Sequence, residues 1–196
     1  EELLRSRGAT LHRVERGGDI TYHGPGQVVV YPIVDLDRLN GGPGNGGGMG
    51  LRQYIAALET AVIETVAEFG ITAGRVPGKT GVWVGTFVID RDPQVSRRLV
   101  REPSRKITPT ADLATQKQCA VRPRKICAIG VKASRGVVMH GLALNVATDL
   151  GWFELINPCG FVGGAVTSME RELGRKVSTG SVKEVLRERL DLMVND

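Results

Sequence analysis

"KICAIGVKASRGVVMHGLALNV", residues 125–146, sets two apolar, β-branched runs on either side of "ASRG". Paired runs of this kind around a short turn containing glycine read as a β-hairpin. Cys127, inside "KICAIG", falls on the alternation of a strand core. Outward from the hairpin, "GVWVGTFVI" at 81–89 reads as a further strand or hairpin. Residues 10–34 alternate the β-type stretches "LHRVE", "DITYH" and "VVVYPIV" with Gly or Pro, which predicts an antiparallel meander.

Helices fall between these strands. "NGGPGNGGGMG" at 40–50 has no apolar residue except Met49 and reads as a connector. It leads into 51–69, where Leu51, Tyr54, Ile55, Leu58, Val62, Val66 and Phe69 recur at three- and four-residue steps until Gly70 supplies the stop. The tail predicts two short helices with capping-box starts, Thr167 with Glu170 and Ser181 with Glu184, the first ending at Gly174. Antiparallel groups of strands with helices between them predict an α/β domain of the α+β kind, a mixed and largely antiparallel sheet packed by helices. With 196 residues, 41% of them hydrophobic, the chain can bury one core, and a single domain over 1–196 is expected.

Composition narrows the function classes. No apolar run approaches 18 residues and no charged-then-apolar leader opens the chain, so an intracellular protein without a membrane segment is expected. Cys119, Cys127 and Cys159 form no CxxC pair, and His12, His23 and His140 form no HxH or HxxxH pair, so neither a disulfide framework nor a metal site is expected. The net charge of +5 is local: residues 91–125 hold ten Lys or Arg against three Asp or Glu, which leaves the rest of the chain slightly acidic. With its four prolines that segment reads as a solvated loop, and 91–124 is taken as a basic insertion. A basic loop gives no ground for nucleic-acid binding.

The glycines raise the question of phosphate. "GRVPGKTG" at 74–81 has three residues between Gly74 and Gly78 where a P-loop needs four, and it follows a helix rather than a strand. "RGGDITYHG" lacks the dinucleotide spacing as well. The more informative stretch is "INPCGF" at 156–161, where the Pro-Cys-Gly turn presents Cys159 as a candidate nucleophile, against the alternative of a small apolar side chain filling a turn. A thiol needs a neighbouring cation to react at neutral pH. Histidine is one source; Lys125 and Lys132, at the two ends of one predicted strand, are others.

Taken together, "RGGDITYHGPGQVVVYPIVDL", "PGKTGVWVG", "RKICAIGVK", "HGLALNV" and "INPCGF" resemble, in this order, the lipoyl(octanoyl) transferase (LipB) family. The resemblance covers most of residues 14–170. It implies a fold like the catalytic domain of biotin and lipoate protein ligases. It also implies an acyltransferase that moves an octanoyl group from octanoyl-acyl carrier protein to a specific lysine of lipoyl domains in 2-oxoacid dehydrogenases and of the glycine cleavage H protein. By motif, the catalytic pair is Cys159 and Lys125. Substrate contacts fall on Arg16, Gly17, Gly18, Asp19, Ile20, Thr21, Tyr22 and His23, on Ala128, Ile129 and Gly130, and on Gly141, Leu142 and Ala143, with His140 auxiliary.

The implied chemistry is a thioester acyl-enzyme on Cys159, stabilised by Lys125, followed by attack of the acceptor lysine with Lys125 or His23 as base. The donor thioester is already activated, so no cofactor and no metal is expected. The glycines of 16–26 would let backbone wrap the acyl thioester. Alternatives are an ATP-dependent lipoate or biotin ligase, which would not need Cys159, and a non-catalytic module that binds acyl carrier protein. Two departures from the family pattern carry expectations. The chain starts fifteen residues before "RGG", so an N-terminal segment is expected to be missing. The 91–124 insertion lengthens a connection that is normally short and points to a eukaryotic, mitochondrial source; the compartment expected is the mitochondrion if the source is eukaryotic and the cytoplasm if it is bacterial.

Overall fold

The computed structural model describes residues 2–39, 48–85, 123–156 and 165–195. Its first half runs α1 (Glu2–Ser6), β1 (Gln27–Val30), β2 (Val34–Asp35), α2 (Leu51–Glu68), β3 (Ala73–Val76) and β4 (Lys79–Val84). The second half is β5 (Arg124–Ser134), β6 (Val137–Asn145), a 3-10 turn (Leu150–Leu155), β7 (Ala165–Val166), α3 (Met169–Leu173) and α4 (Thr179–Asn195). Among the described residues the strands form one sheet in the order β1-β6-β5-β4-β3, with β2 also on β6, and every pairing is antiparallel except that of β7 with β5. This is the mixed, largely antiparallel sheet expected. No described helix is long and apolar enough to cross a membrane.

β5 and β6 form the hairpin expected around "ASRG", closed by Arg135 and Gly136 at φ 49° and 79°. Positive φ at both turn residues matches the twist of the flanking strands, which is why a two-residue connection suffices. The alternation sorts the hairpin by face. Cys127, Ile129, Leu142 and Leu144 join the core with Tyr54, Leu58, Val62 and Val66 of α2, whereas Ala128 faces Ala143 and Gly130 faces Gly141 on the other side. Met169 of α3 and Val182 and Leu186 of α4 complete that core.

Two irregularities break the alternation. Val82 pairs with Cys127 but Trp83 pairs with Lys125, so β5 holds one extra residue, Ile126, against β4. A bulge of this kind re-aims the side chains beyond it. Ile126 and Cys127 are therefore both buried in the core, and Lys125 turns to the opposite face. In β6, His140 takes φ 62°, uncommon for a residue with a Cβ, and it too leaves the core face that Val138 and Leu142 keep.

Several sequence expectations change. Only "VVVYPIV" of the predicted meander forms strands, interrupted at Pro32; "LHRVE" and "DITYH" lie outside the sheet, with Leu11 and Val14 exposed. Those segments have no partner strand among the described residues; between them the Gly17 N–H donates to the Val131 carbonyl at 2.9 Å. "GRVPGKTG" is a hairpin instead, β3 and β4 joined through Gly78 at φ 73°. The helix caps shift as well. Ser168, not Thr167, accepts the Arg171 N–H that starts α3, and Ser178, not Ser181, accepts from Ser181 N–H in front of the 17-residue α4. Gly174 ends α3 in the left-handed region as expected. Of the connector, 40–47 lies outside the described residues, as does 86–122 of the basic segment; Arg124, placed in the insertion by sequence, belongs to β5.

Candidate functional site

A cavity of about 430 Å³ lies on the sheet face away from the helices. That is within the range of about 300–1,000 Å³ usual for small-molecule sites. Its floor is the small-residue side of the β5–β6 hairpin, Ala128, Gly130, Gly141 and Ala143, flanked by Ile129 and Leu142. One wall is the stretch Arg16, Gly18, Asp19, Ile20, Thr21 and His23. His140 stands at the rim beside Tyr31, their rings 5.5 Å apart.

Small floor residues let this wall come close. A Cβ on Gly130 would lie 2.6 Å from the Gly17 carbonyl oxygen and 3.1 Å from Arg16 Cδ. Glycine at 130 therefore serves the approach of protein backbone as well as of any ligand. Gly17 itself is spent on the Val131 contact and does not line the cavity. Tyr22 does not line it either. Its ring stacks on Trp152 at 5.4 Å and meets Phe153 edge-on at 5.6 Å, fastening the wall to the 3-10 turn. Burial, with Asp149 nearby, pushes the Tyr22 hydroxyl pKa up.

At the β4 side the cavity turns cationic. Lys125 and Lys79 both line it, with Nζ 4.7 and 5.6 Å from the ring centroid of Trp83. The indole, 2% exposed, holds both ammonium groups by its π face. Lys132, the other lysine weighed from sequence, instead pairs with Glu15 at 2.5 Å and takes no part in the cavity. A small apolar floor ending in two ammonium groups suits an aliphatic chain with an electron-rich head. Cys127 lies along β5 from Lys125, but burial pushes its thiol far above the usual range and makes it a packing residue. Cys159 and Cys119 lie outside the described residues.

Sequence reasoning missed several lining residues, among them Trp83, Lys79, Gln27, Tyr31 and Asn145. Gln27 and Asn145 carry polar side chains at facing ends of β1 and β6, a pairing that only the register reveals. The signal for Trp83 was its place in "GVWV", alternating with core valines. Support for the bulge comes from α2, where the buried Glu59 accepts from Gly81 N–H at 2.9 Å and from Arg75 Nε at 2.8 Å. Among the described residues no cluster of His, Cys, Asp and Glu could hold a metal ion.

The chain resembles known proteins along nearly its whole length. An octanoyltransferase of Bacteroides fragilis (strain YCH46) is 44% identical over 186 residues, 95% of this chain and 66% of the relative. One from Porphyromonas gingivalis is 45% identical over 186 residues, 95% of this chain and 30% of the relative. The chain thus spans just under two thirds of the first of these relatives and less of the second. In fold it matches a bi-partite lipoate protein ligase of Thermoplasma acidophilum with a TM-score of 0.59 at 16% identity, over 98% of this chain and 60% of that one. A lipoate-protein ligase A bound with ATP gives 0.53 at 15% identity, over 98% and 62%. The family model described as lipoyl protein ligase A/B catalytic domain matches residues 1–191, and with a sheet of the same architecture beneath it the chain belongs to that family.

Proposed function

We propose that this protein is an octanoyltransferase, moving an octanoyl group from octanoyl-acyl carrier protein to a lysine of lipoyl domains and of the glycine cleavage H protein. The observation that carries this reading is the cavity itself, a small apolar floor with Lys125 turned into one end by the Ile126 bulge. Octanoyltransferases at 44–45% identity support it. Residues 1–196 act as one catalytic domain in this reading.

The reaction has two halves. Cys159 as thiolate attacks the donor thioester carbonyl, the carrier thiol leaves, and octanoate is held as an enzyme thioester. The Lys125 ammonium favours the thiolate by charge. The chain lies along Ala128, Gly130, Gly141 and Ala143, bounded by Arg16 to His23. The acceptor amine then attacks, an amide forms and the Cys159 sulfur departs. His140 contributes at the rim. The relatives named above come from bacteria, which favours the cytoplasmic alternative.

The test is intact-mass analysis of the whole protein after incubation with octanoyl-carrier and no ATP. An octanoyl adduct that maps to Cys159 and chases onto a lipoyl domain is the expected result. Transfer only when ATP is supplied would instead indicate a ligase.

A further inference from the structure

A directional chain of hydrogen bonds ends at His23. Two main-chain oxygens anchor it, because a carbonyl can only accept. The amide end of Asn145 that meets the Thr167 carbonyl at 3.1 Å is therefore its NH₂, leaving Oδ1 to accept from Gln27 Nε2 at 2.9 Å. Gln27 Nε2 also donates to the Tyr22 carbonyl at 3.0 Å, which fixes the Gln27 amide independently and in the same sense. Its remaining atom, Oε1, lies 3.1 Å from His23 Nδ1. An amide oxygen has no proton to give, so Nδ1 carries the hydrogen. In the neutral ring Nε2 is then bare, and it accepts from the Tyr31 hydroxyl at 3.3 Å. Gln27, Tyr31, His23 and Asn145 all line the cavity.

We infer that Gln27 is a positioning residue that locks His23 in the Nδ1-protonated tautomer, so that His23 Nε2 takes the proton of the attacking acceptor amine. The inference deepens the proposed function and rests on it. The acceptor amine takes the place of the Tyr31 hydroxyl at His23 Nε2, and as the neutral amine forms its N–C bond to the thioester carbon, one N–H proton passes to that nitrogen. The C–S bond breaks and its electron pair leaves on sulfur as thiolate. The resulting imidazolium keeps its Nδ1–H bond to Gln27 Oε1 and later releases the Nε2 proton to water. Groups that would tune this step face the same cavity: Arg16 and Asp19 from the wall, Lys79 of β4, Lys125 of β5, His140 of β6, and Tyr31.

The decisive readout is ¹⁵N-histidine NMR of the protein, which has three histidines, with His23 assigned by its loss in His23→Gln. The wild type is expected to show His23 protonated on Nδ1 and bare on Nε2. Gln27→Met removes the acceptor, so the ring should revert to the Nε2–H form, and kcat for transfer to a lipoyl domain should fall on the order of tenfold to a hundredfold with KM little changed. Gln27→Glu gives up the donor to the Tyr22 carbonyl and Asn145 Oδ1 but keeps an acceptor at Nδ1, so it retains the tautomer and should move the acid limb of the rate profile to higher pH, because a carboxylate holds the imidazolium charged. Should Gln27→Met not fold, Gln27→Glu decides alone. A wild-type ring protonated on Nε2, or a Gln27→Glu profile that coincides with wild type, overturns the inference. A wild-type protein that does not transfer octanoate at all sinks the proposed function and the base role together, whereas normal transfer with an unmoved profile sinks the base role only.

Discussion

Lys125 and Trp83 face each other as cross-strand partners of β5 and β4, the ammonium 4.7 Å from the indole centroid. Their contact exists because the bulge at Ile126 turns Lys125 away from the core that Cys127 occupies. A cation is attracted to an aromatic face by the ring quadrupole, so the contact holds the end of the Lys125 side chain in place.

Replacing Lys125 by Met, which preserves most of the stem, should lower octanoyl transfer on the order of 10²-fold or more, as expected for loss of a group active in the chemistry. Lys132→Met, on the same strand but paired with Glu15, should lose less than twofold, about the scale expected of an exposed ion pair. Initial rates of lipoyl-domain octanoylation compare the two. Equal losses would detach Lys125 from the reaction.

Gly141 and Gly130 face each other on the cavity floor, yet alanine should act differently at each. A Cβ on Gly141 would lie 2.3 Å from the Val30 carbonyl oxygen, inside the β1–β6 pairing, and should cost about 1–3 kcal/mol of stability in urea unfolding. On Gly130 the collision is with the Gly17 carbonyl and Arg16, in a wall that lies outside the strand pairing. Gly130→Ala should leave the urea midpoint closer to wild type than Gly141→Ala does and raise the KM for the octanoyl donor severalfold.

Arg124 donates to both oxygens of Glu172 at 2.9 Å, and Thr167 Oγ1 donates to the same carboxylate at 2.5 Å. The Arg124 hydrogen bonds hold the Glu172 pKa below its ordinary value of 4.5, against the opposing effect of burial. A carboxyl depressed in the folded state stabilises above its unfolded pKa, and that contribution disappears as pH falls through the folded one. Glu172→Gln should therefore cost about 1–2 kcal/mol at pH 7 and progressively less below about pH 4.5. Urea midpoints measured across pH should show the two proteins converging in acid.

The buried Cys127 thiol should resist alkylation in the native protein and react only after unfolding, since the thiolate is the reactive form. Peptide mapping after iodoacetamide treatment, with and without urea, reads this directly. Rapid native labelling at Cys127 would contradict its place in the core.

What the sequence made legible follows the range of the forces involved. The hairpin 125–146 and helix 51–69 declare themselves because period-two and period-3.6 patterns are local consequences of burying one face. "LHRVE" and "DITYH" carry the same local pattern without a neighbouring strand, so β propensity alone misreads them. β3 is not legible in sequence because "AGRV" has little apolar content and owes its place to the turn at Gly78. Of the site, the motifs led to His23, Ala128 and Gly141, which the cavity does bring together. The roles of Trp83 and Gln27 are not legible in sequence, since one depends on a bulge set by cross-strand register and the other on a hydrogen-bond chain from Asn145, 118 positions away.

The Gly17–Val131 bond has a dynamic consequence. The cavity floor is the middle of the sheet, so its amides should exchange with solvent only when the whole domain opens. The Arg16–His23 wall is fastened to β5 at Gly17 and to the 3-10 turn through Tyr22, and its amides should exchange sooner. Adaptation to ligands of different shape is thereby confined to a detachable side panel, while the surface beneath them stays as stiff as the core it shares.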